Sequence, residues 1–134
     1  MTGVHATRSL TIGRESYEGV TTTPHFPIEI AYFGHYVAFD DIYVDDPRRF
    51  IRELQALELG RAGEACFDGG PRIRIRFRCD PHGGMVVSFR SEQRQPGFPG
   101  SCVLEGSIEV AGERVGELVR SFEHLFRDGT PVSI

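Results

Sequence analysis

From position 72 to 78 charged and apolar residues alternate without a break, as Arg72-Ile73-Arg74-Ile75-Arg76-Phe77-Arg78. A period of two belongs to a strand with one buried face, so Ile73, Ile75 and Phe77 share one side and the arginines the other. The turn residues Cys79-Asp80-Pro81-His82-Gly83-Gly84 follow, and then a second apolar run, Met85-Val86-Val87-Ser88-Phe89-Arg90. Together these predict a β-hairpin at the centre of the fold.

The same reading extends outward. Residues 1–9 carry little pattern and predict a fraying end or a short edge segment. Residues 10–12 and 17–20 are short β-prone pieces around Gly13-Arg14-Glu15-Ser16, a plausible first hairpin that Pro24 brings to a stop. Ile28-Glu29-Ile30-Ala31-Tyr32-Phe33 and His35-Tyr36-Val37-Ala38-Phe39 flank Gly34, which serves either as a tight turn between two strands or as a bend in one; the tight turn is favoured. Asp45-Asp46-Pro47 opens a helix, with an aspartate as N-cap and proline pre-set for helical φ. Phe50, Ile51, Leu54 and Leu57 form its apolar stripe, and Gly60 is placed to stop it. Glu64-Ala65-Cys66-Phe67 is a short strand ended by Asp68-Gly69-Gly70-Pro71. Residues 91–101 contain Pro96-Gly97-Phe98-Pro99-Gly100 and predict a loop. Alternation returns over residues 102–110, with Glu105, Ser107 and Glu109 on the polar face. Val115, Leu118, Val119, Phe122, Leu125 and Phe126 then mark a second helix, ended by Gly129.

The expectation is a single α+β domain over residues 1–134. It consists of a twisted antiparallel sheet of about six to eight strands, split into or curled toward two layers, with two helices packed on it. No repeat or linker divides the chain.

Composition narrows the function classes. The net charge is −4, yet all 15 basic residues are arginine, and 19 acidic residues are interspersed with them. Such mixing does not indicate a general nucleic-acid surface. No apolar run is long enough to cross a bilayer and the N-terminus lacks a secretory pattern, so no membrane contact is expected and the cytoplasm is the expected location. Three cysteines, Cys66, Cys79 and Cys102, are an odd number and read as reduced thiols.

Two charged clusters are candidates for partner binding. The first is the arginine face, above all Arg72, Arg74 and Arg76, whose guanidiniums match carboxylate or phosphate. If residues 102–110 pair with the strand of Met85 to Arg90, Glu105 and Glu109 give those arginines an intramolecular use on a solvated face instead. The second is Asp40-Asp41-Ile42-Tyr43-Val44-Asp45-Asp46, in which Asp40, Asp41 and Asp45 offer an acidic surface to a basic partner. Asp45 or Asp46 has the alternative role of helix cap, and the segment lacks the spacing of a calcium loop. One Cys79-x-x-His82 pair is weak as a zinc motif, even with Cys66 and Cys102 brought near. No catalytic residue, metal site or cofactor is assigned, since no serine or cysteine has the setting of a nucleophile and the Gly-rich turns end strands without opening a helix.

The order of these features, from Asp46-Pro47 through Phe50 and Leu54, Gly63-Glu64, Asp68-Gly69, the alternating strand, Asp80-x-x-Gly83 and the final helix, resembles a family of small bacterial proteins related to the WapI-like immunity proteins. The resemblance is one of pattern and covers about three quarters of the chain. It implies a cytoplasmic, non-enzymatic protein that neutralises a toxin protein domain by binding it. The competing reading is a small-molecule-binding protein or enzyme with a pocket between sheet and helix, resting on His35, Tyr36, Asp40 and Tyr43. The expected state is a monomer or weak homodimer, the latter through an exposed strand edge or Phe-rich surface.

Overall fold

The alternating segments become strands in the computed structural model, which describes residues 7–16, 24–94, 97 and 99–134. In chain order the elements are β1 (Arg8–Ile12), β2 (His25–Tyr32), β3 (His35–Tyr43), α1 (Pro47–Gly60), β4 (Ala65–Asp68), β5 (Ile73–Cys79), β6 (Met85–Arg94), β7 (Ser101–Val110), α2 (Gly112–Asp128) and β8 (Val132–Ser133). The strands form two four-stranded antiparallel sheets that do not close into a barrel, with orders β3-β2-β1-β8 and β4-β5-β6-β7. The α+β class and the two-layered arrangement are thus as the sequence predicts. Each helix carries the chain between sheets: α1 from edge strand β3 to edge strand β4, and α2 from edge strand β7 to edge strand β8.

Local chemistry accounts for the joints. Between β2 and β3 the turn residues Phe33 and Gly34 take φ of 49° and 86°, the paired positive angles of a tight hairpin. Farther along the same ladder Phe26 faces Ile42 and Ile28 faces Phe39, so Asp40 and Asp41 both stand opposite Pro27. Proline has no N–H to offer the ladder, and the extra residue on β3 is the bulge that accommodates it. The first hairpin differs from expectation, because both neighbours of β1 are other strands: β2 along its whole length and β8 at Thr11 and Ile12. Residues 17–20 lie outside the described residues.

Asp46 caps α1 through its Oδ1, which accepts the Arg49 N–H at 3.1 Å. The helix ends at Gly60, as the sequence predicts, and the left-handed cap position falls on Arg61 (φ 57°), which donates its N–H to the Leu57 carbonyl. Arg61 is held there because its guanidinium also donates to the carbonyls of Gly83 and Gly84 in the β5–β6 turn. The hairpin of β6 and β7 is longer than predicted: β6 continues through Arg94, with Arg94 opposite Ser101. Ser91 is buried there at 2% exposure and donates its hydroxyl to the Leu104 carbonyl at 3.4 Å.

One apolar cluster lies between the sheets and under the helices. Phe50 of α1 sits at its middle, with ring centroids 5.2 Å from Phe67, 5.2 Å from Phe77 and 5.1 Å from Phe122 of α2, mostly edge to face. Where the sheets meet directly, the Tyr32 ring packs edge-on to Phe89 at 5.2 Å and lies flat against Gly106. A Cβ on Gly106 would fall 2.4 Å from the Tyr32 ring, so only glycine allows this approach. The helices are joined at their outer side by Gln55 to Glu123 at 2.7 Å and by Arg120 to Glu58, while Glu123 of the same helix also pairs with Arg120.

Candidate functional site

Because the inward positions of β5 and β6 are apolar, their even-numbered residues rise from the outer face of the second sheet, as the alternation requires. Register then sets which of them are neighbours. Asp68 of β4 stands opposite Arg74, Arg74 opposite Arg90, and Arg90 opposite Glu105 of β7. The row across the four strands therefore reads acid, base, base, acid. In the next row Cys66, Arg76, Ser88 and Ser107 are opposite one another. Above the small Ser88 an open groove of about 430 Å³ is lined by Gly70, Pro71, Arg74, Arg76, Ser88, Phe89, Arg90 and Glu105.

Each guanidinium of the groove is held at its Nε edge. Arg74 Nε lies 3.3 Å from Asp68 Oδ1, Arg76 Nε lies 3.6 Å from Glu64 Oε1, and Arg90 Nε lies 3.3 Å from Glu105 Oε1. Arg90 has a second, looser carboxylate in Glu92 at 3.9 Å. Among the described residues, the terminal nitrogens of Arg74 and Arg76 make no protein hydrogen bond. A guanidinium has five donors, so a carboxylate at Nε leaves the outer edge open to a second anion. Cys66, on the flank, is not an activated nucleophile: burial first, and the Asp68 carboxylate next, push its thiol above the ordinary range.

The structure separates the six residues singled out in the sequence. Arg74 and Arg76 line the groove. Arg72 does not; it reaches from the start of β5 to the other sheet, with its guanidinium 5.2 Å above the Phe39 ring, 3.5 Å from Asp41 Oδ1 and 3.4 Å from the Asp41 carbonyl. Asp41 is thereby tied to Arg72, so one member of each charged cluster is spent on joining the sheets. Asp40 stays exposed beside it in the bulge. Asp45 lies apart, past the end of β3, where it accepts the Tyr43 hydroxyl at 3.4 Å and raises that phenol's pKa. With Asp46, Arg49, Phe50, Glu53, Cys66 and Asp68 it lines a recess of about 270 Å³. Asp46 is committed there as the helix cap and Glu53 is paired with Arg49 at 3.6 Å.

Arg90, Ser88 and Glu105 complete the groove although only the pairing of glutamates with arginines pointed to them. Their signal was the unbroken outward parity of residues 86, 88 and 90, which becomes a site only once register is known. The zinc idea loses its geometry, because β4 with Cys66 and β7 with Cys102 are opposite edges of the second sheet. Asp80 instead makes the turn, its Oδ1 accepting the N–H groups of His82 at 2.7 Å and Gly84 at 3.1 Å. Among the described residues no three His, Cys, Asp or Glu side chains are grouped to hold a metal ion. No helix among them is long and apolar enough to cross a membrane. His35, Tyr36, Asp40 and Tyr43 lie exposed along β3 and face no helix, while the sheet–helix interface is filled by Phe50, Phe67, Phe77 and Phe122. Comparison of the chain with family models, with curated proteins and with solved structures gives no match.

Proposed function

We propose that this protein is a non-enzymatic binding protein that seats an acidic segment of a partner protein in the groove over Arg74, Arg76 and Arg90. The observation that carries the reading is the register of Arg74 opposite Arg90. Like charges directly opposite one another destabilise a sheet, by about 0.2–1 kcal/mol on the scale of cross-strand pairs. A carboxylate seated between the open edge of Arg74 and the Arg90 guanidinium, which Glu92 holds only loosely at 3.9 Å, removes that repulsion and adds charge-assisted hydrogen bonds. Glu105, Asp68 and Glu64 fix the arginines in place beforehand, which lowers the ordering cost of docking.

The pattern resemblance to immunity proteins gives the partner its class: a toxin protein domain, met in the cytoplasm and blocked by occupation of its surface. Titration of the purified protein against the toxin domains encoded beside its gene tests this reading. Binding at micromolar strength or tighter is the supporting result, together with a loss of more than about tenfold in the Arg74→Gln/Arg76→Gln double variant. Thermal unfolding of that variant should stay near that of the wild type, since both residues are about half exposed and their ion pairs are weak. Failure of every such domain to bind, or full binding by the double variant, overturns it.

A further inference from the structure

Sheet edges expose unpaired N–H and C=O groups, and this fold places side-chain guards at positions on each of its longer edge strands. On β3 the Ala38 carbonyl accepts Gln93 Nε2 at 3.3 Å and the Asp41 carbonyl accepts Arg72. On β4 the Cys66 N–H donates to Glu53 Oε1 of α1 at 3.5 Å. On β7 the Ser107 N–H donates to the Tyr32 hydroxyl at 3.4 Å, and its carbonyl accepts Arg8 Nη1 at 3.5 Å. Edge strand β8 is only two residues long.

The outward direction of Ser107 fixes the rest of β7. Backbone groups alternate in direction along a strand, so Ser101, Val103 and Glu105 also point theirs away from β6. Among the described residues these groups have no hydrogen-bond partner across the edge. Proline and basic residues, the usual edge guards, are missing from the stretch Ser101-Cys102-Val103-Leu104-Glu105. Val103 is 43% exposed, and Cys102 is exposed on the opposite face.

We infer that this unguarded half of β7 is a self-association edge, where a second copy of the chain pairs antiparallel about a two-fold axis at Val103. In that register Val103 faces its own copy, Ser101 faces Glu105 of the other copy, and Cys102 faces Leu104. It is the register that matches all three outward residues at once. A slip of one step toward the turn sets Glu105 against Pro99, which has no donor, and a slip the other way leaves Ser101 facing the guarded Ser107. Each outward pair exchanges two hydrogen bonds. No like charges meet in the matched register. Arg94, which has no ion partner among the described residues, is opposite Ser101 on β6. Across the axis it stands beyond that small serine from Glu105 of the other copy, about 10 Å away strand to strand and within reach of an arginine side chain. A second copy therefore fits by hydrogen bonding, apolar contact and charge together. The Tyr32 and Arg8 guards on Ser107 limit the ladder to these five residues, so the association is weak and reversible. It produces a continuous eight-stranded sheet.

Light scattering coupled to gel filtration, run from about 10 μM to about 1 mM, tests the edge. The mass should rise from 15.0 kDa toward twice that value with concentration. Val103→Lys, which sets two ammonium groups against each other on the axis, should hold the mass at 15.0 kDa throughout. The register has its own test in Glu105→Arg, which should weaken association, and in the added Arg94→Glu, which should restore it by reversing both charges. Amide exchange at Val103 and Glu105 should slow with concentration in the wild type. A mass of 15.0 kDa at every concentration overturns the inference, as does undiminished association of Val103→Lys. Protection of these amides only on addition of a different protein also overturns it, and loss of fold in Val103→Lys transfers the decision to the charge-reversal pair.

Discussion

Replacing Arg72 with alanine removes a clamp between the two sheets, and its cost can be worked from the three contacts the side chain makes. The ion pair with Asp41 is about half exposed on both sides, which limits it to about 0–1 kcal/mol. The guanidinium above the Phe39 ring contributes about 0.5–1 kcal/mol at a site of this exposure. The hydrogen bond to the Asp41 carbonyl adds about 0.5–1 kcal/mol, at the low end because water can replace it. These contacts share one side chain and do not add fully, so the expected loss is about 1.5 kcal/mol. For a chain of 134 residues that lowers the melting temperature by about 6 °C. Asp41→Asn keeps the carbonyl and the ring contact and should cost under about 0.5 kcal/mol. Urea unfolding of both variants, with thermal melts alongside, separates the terms. An Arg72→Ala variant as stable as the wild type refutes the clamp, and equal losses in the two variants would show that the ion pair alone carries it.

Two further outcomes follow from the packing and from the end of α2. Gly106→Ala forces the Tyr32 ring off the β7 backbone and breaks its bond to the Ser107 N–H; a loss of about 1–3 kcal/mol in chemical denaturation is expected, against almost none for an alanine at exposed Ser101. The Asp128 carboxyl titrates below its ordinary range, chiefly because it accepts the Thr130 hydroxyl and N–H, with His124 and Arg127 adding to the effect. A depressed carboxylate stabilises the fold above its unfolded pKa and loses that contribution as pH falls through the folded one. Stability from this contact is therefore complete at neutral pH and declines only in acid, and an NMR titration should find the Asp128 pKa higher in Thr130→Val than in the wild type.

What could be read from the sequence was what is encoded locally. The strict alternation of residues 72–78 gives the buried Ile73, Ile75 and Phe77 and the exposed arginines, and Asp45-Asp46-Pro47 gives the start of α1, with the choice of Asp46 over Asp45 as cap left to the structure. Where a local rule has a competitor, long-range contacts decide. Gly60 does end α1, but that the left-handed cap is Arg61 has no sequence mark, because the bonds from Arg61 to Gly83 and Gly84 span more than twenty positions. β6 runs four residues past the predicted Arg90 because Ser91, a polar residue, occupies an inward position and finds its partner on β7. Gly106 did interrupt an otherwise regular strand, and such a glycine signals close backbone approach, but the residue that approaches lies in the other sheet.

The candidate site was legible in its chemistry and not in its division of labour. Four arginines on one strand face form a single cluster in the sequence, yet register gives them different tasks. Arg72 is next to the bulge at Pro27, where the extra residue on β3 brings Asp41 within reach, and so it belongs to the joint between sheets. Arg76 stands opposite Ser88, whose small side chain leaves room, and so it lines the groove together with Arg74. The absence of lysine has a consequence at both places. A guanidinium can bond a carboxylate through one edge while stacking on a ring or offering its other edge to an anion, whereas an ammonium is a point charge that cannot divide itself this way. On this face the same residue type therefore holds the scaffold at position 72 and leaves terminal guanidinium edges open at positions 74 and 76. Those terminal edges stay open even though every arginine of the groove already has an acidic neighbour.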